Sequence, residues 1–247
     1  RMKFICDAER CIECNGCVTA CKNEHEVPWG VNRRRVVTMN DGVPGEKSIS
    51  VACMHCSDAP CIKACPVKPN KSLFKTPEGI TLNDPDLCIG CQRCQRACPY
   101  SHEELGAESL SGETYSVISF NAPDQSPQPY WDDKTSVMPG CTASGAETAA
   151  KAGARTPNMN QWTGGDAQPI RKGDTIEKCT FCYHRTLNGL QPACVEVCPS
   201  QARIFGDQED PNTKIAQVLK QEKSFRLQED KGTKPNVHYI GKYSARA

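Results

Sequence analysis

Long apolar runs are missing from this sequence. No stretch approaches the roughly 20 consecutive apolar residues that a membrane-spanning helix needs, which excludes a direct membrane span. Net charge is missing too: 30 Lys and Arg stand against 29 Asp and Glu, a formal balance of +1. That balance leaves no basic face for nucleic acid. Aromatic residues make up 6% of the 247, and Leu, Ile, Val and Phe together about 17%. So low a branched-apolar share signals disorder when net charge is high, and here it is not. The chain has the length of one or two domains and too few such side chains for an ordinary core. Arg1-Met2-Lys3 runs straight into Phe4-Ile5-Cys6 without the apolar stretch of a secretory signal. Met stands second, so compartment is not read from this end. Catalytic signatures are absent as well: there is no G-x-S-x-G, no P-loop and no G-x-G-x-x-G. What the chain does have is eighteen cysteines, and something other than apolar packing must hold it together.

Sixteen of them fall into four quartets. Cys11, Cys14, Cys17 and Cys21 are spaced x2, x2, x3. Cys53, Cys56, Cys61 and Cys65 are spaced x2, x4, x3. Cys88, Cys91, Cys94 and Cys98 repeat x2, x2, x3, and Cys179, Cys182, Cys194 and Cys198 are spaced x2, x11, x3. Pro66, Pro99 and Pro199 follow the last cysteine of three quartets; Lys22 takes that place in the first.

Three chemistries use such cysteines. Disulfide frameworks do not require a repeated x2-x2-x3 rhythm, and cysteines two residues apart are poorly placed to bond each other. Zinc takes C-x2-C half-sites, but usually two close cysteines and two distant ones. Here three crowd together with a fourth just beyond. The run C-x2-C-x2-C-x3-C-P is instead the bacterial ferredoxin signature for [4Fe–4S] clusters, whose fourth cysteine serves the other cluster of a pair. Three close cysteines wrap three corners of a cube. The fourth, one helical turn on, points away. Residues 88–99 match throughout, and four quartets in one chain favour this reading.

Gly16 and Gly90 lie inside the loops, where a missing side chain lets backbone N–H groups approach sulfur. His55 and His184 sit close to cysteines, but each quartet already has four, so both read as structural side chains behind the ligands. Lys22, Lys63, Arg93, Arg96 and Lys178 are near ligands in sequence. A cation there favours the reduced, more negative cluster; a solvated surface charge is the plainer reading of each. Cys6, in a short strand, reads as a small buried apolar residue. Cys141 takes no ligand role.

Between Cys98 and Cys179 lies a Gly-, Ala-, Ser-, Pro- and Thr-rich segment with scattered aromatics, including Tyr115, Phe120, Trp131 and Trp162. Residues 106–170 read as an insertion covering the cluster body or facing a partner. Residues 35–39 and 48–51 around Asn40-Asp41-Gly42 predict a hairpin with a loop longer than two residues. Residues 79–82 and 237–240 read as strands. Residues 18–22, 62–65, 95–98 and 195–198 read as single helical turns carrying the remote cysteines. Asp210-Pro211 predicts an N-cap and N1, followed by Ile215, Val218 and Leu219 at helical spacing. The tail reads as a clamp or docking arm.

The quartets, with Asp86-Leu87-Cys88-Ile89-Gly90-Cys91, Lys178-Cys179-Thr180-Phe181-Cys182 and Phe205-Gly206-Asp207-Gln208-Glu209-Asp210-Pro211, resemble the four-cluster iron–sulfur subunits of molybdopterin oxidoreductases. That group serves formate dehydrogenases and dimethyl sulfoxide, polysulfide, thiosulfate, tetrathionate and arsenate reductases. Cys11–Cys17 is most similar to the formate dehydrogenase branch, residues 232–240 to the sulfur-compound branch. The resemblance covers roughly residues 2–100 and 171–243 and leaves the insertion unexplained. It implies an α+β fold of two ferredoxin-like halves. Residues 1–50 with 171–205 would form the outer half and residues 51–105 the nested one, leaving 206–247 as a docking tail of helix and strand.

It also implies four [4Fe–4S] clusters with crossed ligation. Cys11, Cys14 and Cys17 would share a cluster with Cys198, and Cys179, Cys182 and Cys194 with Cys21. Cys53, Cys56 and Cys61 would share one with Cys98, and Cys88, Cys91 and Cys94 with Cys65. The nitrate reductase branch has a Trp for one cysteine; no such replacement occurs here. The implied role is a non-catalytic wire between a molybdopterin (Mo or W) catalytic subunit and an integral membrane quinone- or haem-bearing subunit. It would be peripheral to the membrane of a bacterial or archaeal respiratory complex assembled at low oxygen. A free polyferredoxin is the alternative, but a diffusing carrier has little use for the insertion and the tail.

Overall fold

A computed structural model describes residues 1–28, 30–39, 47–101, 116–123, 130, 132–134, 142–154, 162 and 170–241. The turn at 40–42, Tyr115, Trp131, Cys141 and most of the 106–170 insertion lie outside the described residues. What is described is a mixture of short helices and small sheets.

The central sheet has three strands. β1 (Met2–Asp7) lies between β8 (Arg203–Asp207), antiparallel, and β9 (Val237–Ile240), parallel. Alternation along β1 feeds two cores. Phe4 and Cys6 enter the main cluster, while Ile5 faces Ile204, Ile215 and Ile240. That second patch is roofed by α7 (Lys214–Gln221), whose Ile215, Val218 and Leu219 recur at helical spacing. The helix starts three residues later than Asp210-Pro211 predicts. Asp210 spends its side chain on the Asn212 N–H and its carbonyl on the Thr213 N–H, forming a turn. Thr213 becomes the cap, its hydroxyl accepting from the Ala216 N–H at 3.3 Å.

Three two-stranded ribbons surround this sheet. β2 (Arg34–Met39) and β3 (Lys47–Ala52) form the predicted hairpin. β4 (Leu73–Lys75) and β5 (Thr81–Asn83) form a second. β6 (Ile118–Asn121), inside the insertion, pairs antiparallel with β7 (Thr175–Lys178), just beyond it. A buried polar knot fastens this last ribbon: Glu177 ion-pairs with Arg33, both side chains essentially inaccessible, and accepts from Asn121 Nδ2 at 2.7 Å. Within the insertion, α4 (Gly145–Lys151) starts with a capping box, in which Ser144 and Glu147 each satisfy the other's backbone N–H.

The remaining helices carry cysteines or follow them: α1 (Gly16–His25), α2 (Pro60–Ala64), α3 (Arg93–Arg96), α5 (Tyr183–Thr186) and α6 (Ala193–Glu196). α1 packs on α6, and α2 packs on α3. No helix among the described residues is long and apolar enough to cross a membrane.

Candidate metal centres

All four C-x2-C loops turn the same way. The residue before the second cysteine has a left-handed backbone in each: Glu13 (φ 57°), His55 (φ 45°), Gly90 (φ 65°) and Phe181 (φ 53°). Left-handed turns of this kind aim N–H groups back into the loop, as when the Phe181 N–H donates to Cys179 Sγ at 3.4 Å. Gly90 alone needs to be glycine for space as well as for φ. A Cβ there would lie 2.5 Å from the Asp174 carbonyl oxygen and 3.0 Å from the Phe120 ring. Gly90→Ala should therefore cost more than the ~1–2 kcal/mol of a left-handed non-glycine residue. A lowered melting temperature with reduced iron per chain is the expected result; an unchanged melt would contradict the clash.

Remote cysteines sit beside triplets from other quartets. Arg203 donates one guanidinium N–H to Cys17 Sγ at 2.8 Å and another to Cys198 Sγ at 3.3 Å. Cys11, Cys198 and Ala202 pack as one small cluster, while Cys14 is exposed. Cys21, on α1, is buried and close enough to Cys179 and Cys194 to feel their charge, and Cys182 feels Cys194, Cys21 and Cys179 in the same way. Cys98, half-buried, is electrostatically coupled to Cys53 and Cys61, as is Cys56. Cys65, Cys88, Cys91 and Cys94 line one cavity, closed by Leu73 and Ile176. Among the described residues, no group of three or more His, Cys, Asp and Glu is arranged to hold a single metal ion.

Electrostatics test whether these thiols suit an iron–sulfur group. Burial pushes the Cys56 and Cys94 thiols up to about 12, with neighbouring thiols adding to it, and pushes Cys21, Cys98 and Cys182 up as well. Unaided, such thiols stay protonated; a bound metal deprotonates them outright. Cys198 runs the other way. Burial works against its thiolate, but the Ser200 hydroxyl, the Ala202 N–H and Arg203 outweigh it and hold the thiol below its ordinary value. Buried cations complete the picture. Arg34 donates to Ser50 Oγ at 2.8 Å and lies 4.8 Å over the Phe4 ring. Burial opposes its charge, and the thiols of Cys194, Cys179, Cys17 and Cys21 more than offset that. Lys178, fully buried, donates to the Thr81 and Cys179 carbonyls. Lys75 donates to the Cys56 carbonyl at 2.5 Å. Buried thiols interleaved with buried cations fit an anionic metal–thiolate group.

Sequence proximity was a poor guide to these cations. Lys63, Arg93 and Arg96 are exposed, and Lys22 turns away to the Pro28 and Val31 carbonyls. Only Lys178 of the five named from the sequence is buried. Arg34 and Lys75 lie outside the cysteine loops in sequence, and Arg203, five residues past Cys198, opens a strand, so nothing in its spacing marks it as facing sulfur. His25 was missed too: its Nε2 lies 3.4 Å from Cys182 Sγ, eight residues along α1 from Cys17. His184 instead pairs with Glu24 at 2.9 Å.

An aromatic stack joins the loops of the second and fourth quartets. His55 stacks on Phe181 with ring centroids 3.7 Å apart, and Phe181 contacts Phe4 and Phe205. His55 accepts the Thr81 N–H on Nδ1 at 3.1 Å. Burial, then Lys178, Lys75 and Arg34, keep its ring well below the usual histidine range and so neutral.

Loops, cysteine groups and mixed helix–strand surroundings define a ferredoxin-type iron–sulfur protein. The chain matches the 4Fe-4S dicluster domain family over residues 47–112 and 168–208, and the 4Fe-4S binding domain family over residues 8–24. It is 38% identical over 250 residues to the arsenate respiratory reductase iron-sulfur subunit of a Shewanella species, covering 100% of this chain and 98% of that one. It is 32% identical over 253 residues to a putative dimethyl sulfoxide reductase iron-sulfur subunit of Halobacterium salinarum, covering 96% and 78%. Over 113 residues, 45% of this chain and 55% of the relative, it is 51% identical to the formate dehydrogenase iron-sulfur subunit of Wolinella succinogenes. The chain belongs to the iron–sulfur subunits of molybdopterin oxidoreductases. It is an electron-transfer subunit; catalysis in these complexes sits in a separate molybdopterin subunit.

Proposed function

We propose that the chain carries electrons through four [4Fe–4S] clusters between a Mo- or W-molybdopterin catalytic subunit and a quinone- or haem-bearing membrane subunit. The clusters would be held by Cys11, Cys14, Cys17 and Cys198; by Cys179, Cys182, Cys194 and Cys21; by Cys53, Cys56, Cys61 and Cys98; and by Cys88, Cys91, Cys94 and Cys65. The carrying observation is the neighbourhood of each remote cysteine, which is the triplet of a different quartet. On this reading residues 1–50 with 171–205, and residues 51–105, are two ferredoxin-like halves. The packing of α1 on α6 and α2 on α3 supports that pairing.

Each bound cluster supplies one-electron redox chemistry at a potential set by charge, hydrogen bonds and exposure. The chain's own residues do the rest. Cysteines hold thiolates in place, the Phe4–Phe181–Phe205 group excludes water, and Arg34, Arg203 and Lys178 bring positive charge inside. The complex would sit at a membrane, with this subunit peripheral to it. The chain itself touches no substrate, so the partner's substrate is not read from these cysteines.

Affinity capture of the chain from its native host tests the proposal. Recovery of a large Mo- or W-containing protein, with about sixteen iron atoms per chain, is the expected result. Capture of the iron-loaded chain alone would favour a free polyferredoxin, and about four zinc atoms without iron would end the cluster reading.

A further inference from the structure

We infer that Arg203 sets the reduction potential of the centre built on Cys11, Cys14, Cys17 and Cys198, making that centre easier to reduce. The inference rests on the crossed ligation proposed above and asks what one side chain does to it.

Arg203 is buried, with 6% of its surface accessible. Among the described residues, no carboxylate pairs with it and its Nε has no hydrogen-bond partner. This contrasts with Arg33, neutralised by Glu177, and with Arg185, which bonds Glu24 and Glu196. A buried cation without a counter-charge is strongly destabilising. Arg203 spends its two terminal nitrogens on sulfur instead: Cys17, 186 residues away in sequence, at 2.8 Å, and Cys198, five residues away, at 3.3 Å. The same fork thus reaches two sulfurs of one proposed ligand set, one from the triplet and one the remote member. Arg34 opposes its charge, while the thiols of Cys17, Cys6 and Cys194 favour it.

β8 delivers this arrangement. Its first residue is Arg203, paired across the sheet with buried Cys6. The strand register therefore fixes the guanidinium beneath the first quartet's helix. Arg34, also buried, bonds Ser50 and covers Phe4; among the described residues it has no carboxylate partner and no hydrogen bond to a cysteine sulfur. Arg203 is therefore the cation specific to one centre.

The sign follows from charge. Reduction adds one electron to an already anionic group. A fixed positive charge that donates two hydrogen bonds to its sulfurs stabilises the reduced form more than the oxidised one. Removing the charge lowers the potential of that centre; the other centres, lacking these bonds, move less.

The test is an EPR-monitored redox titration of the intact complex with mediators and dithionite, with iron per chain measured on the same samples. Cys198→Ala first marks the signal of interest as the one it abolishes or converts. Arg203→Gln, at full iron content, should shift that same signal. At a fixed ambient potential its reduced-to-oxidised ratio should fall roughly tenfold, which is 59 mV for a one-electron couple. Arg203→Lys keeps the charge but loses the fork, and should give a smaller fall of roughly threefold. If Arg203→Gln fails to assemble, the lysine variant decides, since a purely structural role predicts no change in midpoint at full iron. Full iron with every midpoint unmoved, or movement confined to another signal, overturns the inference and leaves the clusters standing. Cys17→Ala and Cys198→Ala abolishing different signals would instead overturn the pairing beneath it.

Discussion

Cys198→Ala is expected to strike the centre of the Cys11–Cys17 loop, 181 to 187 residues upstream, and to spare its own neighbours in sequence. Cys194 and Cys198 leave the same short helical segment in different directions. Cys194, on α6, lies among Cys179, Cys182 and Cys21. Cys198, four residues on, packs with Cys11 and shares Arg203 with Cys17. Cys194 lies on α6 and Cys198 just past its end, so under crossed ligation the two thiols serve different centres. Removing the Cys198 thiolate leaves one corner of the first centre without its ligand. EPR should show loss of one signal or its conversion to a three-iron type; with the four proposed centres sharing the total, iron should fall by at most about a quarter. The reciprocal variant, Cys21→Ala, should damage the centre of Cys179, Cys182 and Cys194. If Cys198→Ala erased that second signal instead, the crossed pairing would be refuted.

The parts of this fold that could be read from the sequence are those whose signal is covalent or strictly periodic. Cysteine spacing is one: a cube with fixed corners demands it, so the quartets stood out. β1, the β2–β3 hairpin and β9 were readable because apolar and β-branched residues cluster between turn residues. The sequence predicts a single helical turn over residues 18–22, yet α1 runs from Gly16 to His25. Its buried stripe is Cys17, Cys21 and His25, spaced by four, and no ordinary hydrophobic pattern flags cysteine and histidine as a core face. β4 is only three residues long, too short for any alternation to show. α4 was missed although Ser144-Gly145-Ala146-Glu147 spells a capping box; the Gly- and Ala-rich surroundings hid it. Arg34 and Arg203 were illegible for a deeper reason. A buried arginine is normally announced by an acid placed to meet it, and these two have thiols there instead. Their partner is not encoded as a residue.

That missing partner leads to the largest expected effect: stripped of iron, the chain should lose its fold and not merely its colour. Apolar packing alone is thin here. The main core contains Cys17, Cys53, Cys56, Cys61, Cys94, Cys179 and Cys194 alongside Phe4, Ile49, Leu73 and Ile118. The described strands form one three-stranded sheet and three separate ribbons, and two-stranded ribbons are marginal by themselves. Metal–thiolate bonds would fix loops that four small sheets cannot, and binding free energy of that kind is folding free energy. Electrostatics deepen the loss. Arg34 and Arg203 would remain buried after the clusters left, facing thiols that burial returns to their neutral form. An uncompensated buried charge costs about 3–5 kcal/mol, and two of them rival a typical domain's whole stability of about 5–15 kcal/mol. Chelation under reducing conditions should therefore collapse NMR dispersion and open the chain to protease at β1 and β8, the strands that hold Arg203 in register. Replacing Arg34 and Arg203 together by Met should make the iron-free chain less unstable while weakening the loaded one, because the same charges change sign in their effect. A well-dispersed spectrum from the unsubstituted iron-free protein would show that the small sheets suffice and that the clusters are guests in a preformed fold.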